Sequence, residues 1–145
     1  MSADPLLLPA LRMRASMYLS REQPQQALDL LLRYVRLDPV NNQSRKLLSD
    51  TYRLLGETAK AEEQMKLRDR LYDFNQQLLK LNTQLMQNPQ NDEVRFQIGA
   101  LWLGINQLLD ARLWFISALE INPNNIRARQ ALERLDPTAA AQIPR

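Results

Sequence analysis

The sequence predicts an all-α fold, and three observations carry that reading. Only three of the 145 residues are glycine and only three are valine, at Val35, Val40 and Val94, against a large excess of leucine and alanine. Helices favour that composition and strands do not. A proline with asparagines close behind it recurs three times, at Asp38-Pro39-Val40-Asn41-Asn42, Asn88-Pro89-Gln90-Asn91-Asp92 and Asn122-Pro123-Asn124-Asn125. Between Gly56 and Pro89 there is neither glycine nor proline, and Leu67, Leu71, Phe74, Leu78, Leu81 and Leu85 recur at alternating spacings of four and three. That period belongs to one long amphipathic helix.

Bulk composition bounds what such a chain does. At 45% apolar and 24% charged residues it is globular. Cysteine and histidine are both absent, which removes disulfides, thiolate nucleophiles, the commonest general base and the commonest metal ligand. The net charge of +3 arises from 19 basic and 16 acidic residues without a basic arm. The start, Met1 to Pro9, carries Asp4 ahead of a three-leucine run, and lacks the basic n-region and longer apolar stretch of a secretory signal. No segment approaches the roughly 20 apolar residues of a membrane span. The expectation is a cytoplasmic protein without cofactor or metal.

The punctuation sets the repeat. Pro89 and Pro123 are 34 residues apart, and Pro39 and Pro89 are 50 apart, or 34 plus 16. Proline halts the preceding helix and Asn or Asp beyond it caps the next. The units fall at 8–41, 42–91 (extended) and 92–125, within one domain spanning 8–135, after a lead-in at 1–7. Helices are expected at about 8–20, 24–37, 42–55, 58–87, 92–105, 108–121 and 124–135. The last places Ile126, Ala128, Ala131, Leu132 and Leu135 on one side and Arg127, Arg129, Gln130, Glu133 and Arg134 on the other, as a polar-faced cap requires. Residues 136–145 show no apolar period and are expected to be a flexible tail.

Small and large side chains recur at matching places. Ala15, Ser49 and Gly99 stand where two helices cross closely, followed three residues later by Tyr18, Tyr52 and Trp102. The second helices bring Ala27, Leu31 and Tyr34, then Ala61 and Met65, then Ala111, Phe115 and Ala118, with Gly56 at one turn. With its 34-residue period the chain resembles the tetratricopeptide-repeat family throughout residues 8–125. The resemblance implies a right-handed α-solenoid of three helix-turn-helix repeats, one with a long extended helix, plus a C-terminal capping helix. The chain departs from the family at its usual first-helix tryptophan, where Leu11, Arg45 and Arg95 stand, and at Arg14, where leucine is common. Those departures are expected to weaken the core slightly.

The extended helix leaves two readings open. Its halves pack on the second and third repeats, or part of the stripe Leu71, Phe74, Leu78, Leu81 and Leu85 projects and pairs with a second copy as an assembly element. Asn75, Gln76, Gln77, Asn82 and Gln84 make that half poor in charge, which suits a contact surface.

The family resemblance also implies a concave groove lined by first helices. The positions here are Arg12, Ser16, Leu19, Lys46, Asp50, Arg53, Phe96, Ala100 and Leu103. Members that grip a chaperone's C-terminal carboxylate carry lysine and asparagine where this chain has Arg12, Ser16 and Asp50, and an acid there would repel a carboxylate. A groove basic in two repeats and apolar in the third suits an acidic-apolar peptide or helix. Trp102 and Trp114 fall at or beside interior positions and read as packing. The arginines are interleaved with Asp29, Asp38 and Asp50 and lack an aromatic platform, which argues against nucleic acid. Glu62 and Glu63 are adjacent and diverge on a helix, Ser44 and Lys46 are wrongly spaced to share a face, and no phosphate loop exists. The leading expectation is a non-catalytic interaction scaffold with a protein partner. The competing one is a structural subunit of a homo-oligomer or larger assembly without a peptide ligand.

Overall fold

The computed structural model describes residues 6–144; most of the expected lead-in, residues 1–5, lies outside them. All regular structure among the described residues is helical: α1 Leu7–Ser20, α2 Pro24–Leu37, α3 Asn42–Leu54, α4 Thr58–Gln87, α5 Asp92–Gly104, α6 Leu108–Ile121, α7 Ile126–Leu135 and α8 Pro137–Ala141. The Pro-Asn punctuation works as caps. The side-chain oxygens of Asn41, Asn91 and Asn125 accept from the backbone N–H of Ser44, Val94 and Ala128 at 3.0, 3.0 and 2.9 Å, satisfying donors that a helix start leaves unpaired. Because Asn125 is the cap, α7 begins at Ile126 and not at 124. Asn124 stays in the turn, its N–H bonded to the Asn122 side chain at 3.0 Å.

The turn inside each helix pair is built three times with one geometry. Glu22, Gly56 and Asn106 have φ of 56°, 77° and 61°, and the following N–H groups of Gln23, Glu57 and Gln107 reach back to the carbonyls of Tyr18, Tyr52 and Trp102 at 2.9, 2.8 and 2.9 Å. This left-handed closure satisfies the last carbonyls of the helix. Glycine adopts it freely, and the two other positions hold it at a steric cost.

The chain divides within α4, after Asp73, into two compact units. The physical origin is the extra length of α4: its early turns pack with α3 and its later turns with α5. In the first unit the core is Ala15, Ala27, Leu28, Leu31, Leu48, Tyr52 and Ala61, and the buried Ser49 hydroxyl donates to the Ala61 carbonyl at 2.9 Å. The second unit has a cluster of Leu81, Val94 and Ile98 flanked by Leu78, Leu85, Leu101, Trp102 and Trp114. A further cluster joins Ala111, Phe115, Ala118 and Leu119 to Ala128, Leu132, Ala139 and Ala140.

Three sequence expectations are corrected. The assembly stripe is not a free face: Leu71, Phe74 and Leu81 are buried, Leu78 and Leu85 pack on Val94 and Ile98, and Phe74 meets the Trp102 ring edge-on at 4.9 Å. Helix α5 supplies an apolar partner for the later part of the stripe, in line with internal packing, the first of the two readings the sequence left open. The segment 136–145 is not wholly a tail, because Asp136 caps Ala139 at 3.0 Å, Pro137 starts α8, and Ala139 and Ala140 are buried. Three alanines have no strong period, yet each needs only a small recess to be buried.

The arginines at the tryptophan position form the third correction, since they hold structure instead of merely weakening it. Arg45 donates to Pro39 O at 3.4 Å and Gln64 Oε1 at 3.2 Å. Arg95 donates to Pro89 O at 2.8 Å and Ser117 Oγ at 2.6 Å. Arg129 repeats the contact with Pro123 O at 3.2 Å and adds the carbonyls of Ile143 and Pro144 at 3.2 and 2.8 Å. Each guanidinium ties a first helix to the proline six residues earlier. The arrangement has a cost: Arg45 Nε and Arg95 Nε are buried without a hydrogen-bond partner, and burial pushes the Arg45 pKa below its usual value, with Glu63 opposing.

Candidate protein-binding groove

The expected groove residues occupy two settings, one in each unit. In the first unit Arg12 and Ser16 are exposed on α1 and Leu19 is half-buried. Lys46 and Arg53 are exposed on α3, and Asp50 is half-exposed between them. Asp50 forms an ion pair with Arg53 at 3.4 Å. Both side chains are well exposed, so the pair contributes little stability, but it lessens the repulsion that Asp50 would exert on an acidic ligand. Lys46 also borders a shallow recess of about 310 Å³ with Asn42, Gln43, Arg68, Asp69 and Tyr72.

The second unit holds a concavity lined by two of the expected residues. A groove of about 370 Å³ runs between the later turns of α4 and α5, with α7 at one end. Its floor is Leu81, Phe96, Ala100 and Leu101; its polar lining is Gln77, Lys80, Gln84, Gln97 and Arg127. The floor follows from local sequence: Ile98 and Gly99 are buried, which turns Phe96 and Ala100, on the neighbouring part of α5, toward the opening. Phe96 also packs on Phe115, with ring centroids 5.7 Å apart. The Arg127 guanidinium lies over the Phe96 ring at 4.4 Å and pairs with Glu93 at 2.5 Å. It is therefore oriented by a cation–π contact and an ion pair together.

Phe96 and Ala100 thus line one groove, whose facing wall is the later part of α4 and not a first helix. Leu103 is exposed, at 41% of its surface, but does not line it. The residues missed from sequence are Gln77, Lys80, Gln84, Gln97, Leu101 and Arg127. Their signal was present in part as the charge-poor half of α4; which side of that half would stay open depended on where α5 packs. Among the described residues no helix is long and apolar enough to cross a membrane, and no group of three or more acidic, histidine or cysteine side chains is placed to hold a metal.

The 34-residue period, the paired helices and the close crossings at Ala15, Ser49 and Gly99 make a helical-repeat array whose units resemble the tetratricopeptide repeat. No protein-family model matches the chain, and a search of curated proteins finds no match. Solved structures do match. One is the NMR structure of the first TPR domain of the human RPAP3 protein, at 20% identity and TM-score 0.45, covering 95% of this chain and 96% of that one. Another is the Sgt2 TPR domain from Aspergillus fumigatus, at 15% identity and TM-score 0.42, covering 95% and 82%. A third is MamA from residue 41 to its end, from Desulfovibrio magneticus RS-1, at 18% identity and TM-score 0.43, covering 96% and 92%.

Proposed function

We propose that this chain is a non-catalytic interaction scaffold that holds a partner peptide or helix. Each unit offers its own surface: Arg12, Ser16, Leu19, Lys46, Asp50 and Arg53 in the first, and Phe96, Ala100 and Leu103 with the adjoining face of α4 in the second. The observation that supports this best is the groove at Phe96 and Ala100. It combines an apolar floor with convergent polar groups, and Ala100 leaves room where a larger side chain would fill it. The cations along both surfaces favour an acidic-apolar partner.

A displayed library of random heptapeptides, selected on the immobilised full chain, tests this reading. Enriched sequences whose binding is lost in Ala100→Arg or in Arg12→Glu with Lys46→Glu are the expected result. Failure of any sequence to enrich above the bare support would remove the proposal.

A second reading, a structural subunit of a larger assembly, is favoured by a different observation. Leu108, Leu109 and Leu113 on α6 are 45%, 76% and 59% exposed, an apolar group of the kind that marks contacts between chains. Light scattering across a wide concentration range discriminates the readings: association abolished by Leu109→Glu with Leu113→Glu supports assembly, and a monomer throughout opposes it.

A further inference from the structure

We infer that the outer face of α1 is a separate docking surface, on which a helix of another protein lies lengthwise, its apolar residues on Leu6, Ala10, Met13 and Met17 and its acidic ones beside Arg14 and Arg21. The surface belongs to the first unit and shares no residue with those proposed above, so it stands or falls apart from them.

Leu6, Ala10, Met13 and Met17 follow one another at intervals of four, three and four, the alternation of a coiled-coil seam. Leu6 precedes α1 but has right-handed helical backbone angles, and so continues its line. Leu11 and Ala15 are buried, and Tyr18 and Leu19 pack on the first unit's core; the seam therefore occupies the opposite side of the helix. Leu6, Met13 and Met17 are 71%, 68% and 48% exposed, and Ala10 is exposed with them. The outermost helix of a repeat array ordinarily turns a polar face to water. Here it turns an apolar one. From Leu6 to Met17 the seam runs about 16 Å, or three helical turns, and its two methionines are unbranched side chains that adjust to apolar partners of differing shape.

Width favours a helix over a lipid surface. The four side chains fall within about 60° of the helix circumference at 3.6 residues per turn, whereas a helix lying in a bilayer surface buries a much broader face. Charge then selects the helix. Arg14 follows Met13 by one residue and Arg21 follows Met17 by four, which sets both on the same flank of the seam. Both are exposed, neither has an ion-pair partner among the described residues, and α1 itself carries no acidic residue. A second copy of the chain does not supply the complement. In an antiparallel pair this flank faces its own copy, arginine against arginine, and in a parallel pair it faces Pro9 and Ser16, which hold no charge. The partner that fits is a different chain whose helix has an aliphatic seam with glutamate or aspartate beside it.

A displayed library of helical peptides about 21 residues long, randomised at the seam and its flanks and selected on the immobilised full chain, supplies the probes. Enriched peptides, labelled with fluorescein, are read by fluorescence anisotropy. Glutamate and aspartate are expected to dominate one flank of their seams. Met13→Gln with Met17→Gln should weaken binding about tenfold, and so should Arg14→Glu with Arg21→Glu, which should in turn bind peptides whose flanking acids are changed to lysine. Lys46→Glu and Ala100→Arg should each alter affinity by less than about twofold. The four replaced α1 residues are exposed, and circular dichroism of each variant checks that the helices persist. A library without binders, or binders indifferent to either α1 double variant, would overturn the inference. So would self-association of the chain, or its flotation with vesicles of phosphatidylserine and phosphatidylcholine, if the methionine change abolished it. The surfaces proposed above are judged by their own variants and survive any of these results.

Discussion

A single missing methyl group sets how closely α5 and α6 cross. A Cβ built on Gly99 would lie 2.7 Å from Cδ1 and Cε1 of Phe115 and 3.2 Å from Trp114 Cβ, and Phe115 is fully buried with no room to withdraw. Gly99→Ala should therefore destabilise the chain by about 1–3 kcal/mol in urea unfolding. Gly104→Ala, where a Cβ meets nothing within 4 Å, should be neutral or slightly stabilising. The turns give a second contrast. Gly56 and Glu22 share the left-handed conformation, so Gly56→Ala should cost about 1 kcal/mol while Glu22→Gly should raise stability by up to about 1 kcal/mol. Equal and unfavourable effects at both positions would show that the turn geometry is not the controlling strain.

At the scale of an element, the proline-to-arginine ties predict how the helices are fastened. Arg95→Ala removes bonds to Pro89 O and Ser117 Oγ and should cost about 1–3 kcal/mol, read as a lower urea midpoint. Helix α8 depends on one carboxylate. The N–H of Ala139 is the largest cause holding the Asp136 pKa below its usual value; burial opposes it, and the Arg112 guanidinium and the Thr138 N–H add to the lowering. A carboxylate depressed in the folded state stabilises above its unfolded pKa, and that stabilisation fades as pH falls below about 4. The protection of the Ala139 and Ala140 amides, their exchange taken relative to the intrinsic rate at each pH, should thus fall between neutral pH and pH 3, and the fall should flatten in Asp136→Asn. An unchanged profile in that variant would place the cause elsewhere.

At the scale of the whole molecule, the stripe on α4 decides whether its leucines serve the chain or a second copy. Leu81 is 9% exposed and packs with Val94 and Ile98, so Leu81→Ala should cost about 2–5 kcal/mol. The triple change Leu78→Glu, Leu81→Glu, Leu85→Glu should unfold the second unit and not release a folded monomer. Both tryptophans lie in that unit, so their emission reports its unfolding while far-UV circular dichroism reports all the helices. Coincident loss of tryptophan emission and helical signal in the wild type would show that the two units unfold together.

Much of this architecture was legible from residue spacing alone. The Pro-Asn pairs placed the starts of α3 and α5 and came within two residues of that of α7, the 34-residue period placed the close crossings at Ala15, Ser49 and Gly99, and the unbroken leucine stripe gave α4 from Thr58 to Gln87. These are local signals: caps, breakers and helical periodicity act over a few residues and leave their mark in order along the chain. The destination of the stripe, the docking of α8, the arginine ties and the open groove at Lys80 were decided only by tertiary structure. Each depends on which distant element comes to rest beside it, since an amphipathic face requires burial without naming its partner and a guanidinium requires acceptors that any nearby carbonyl can supply.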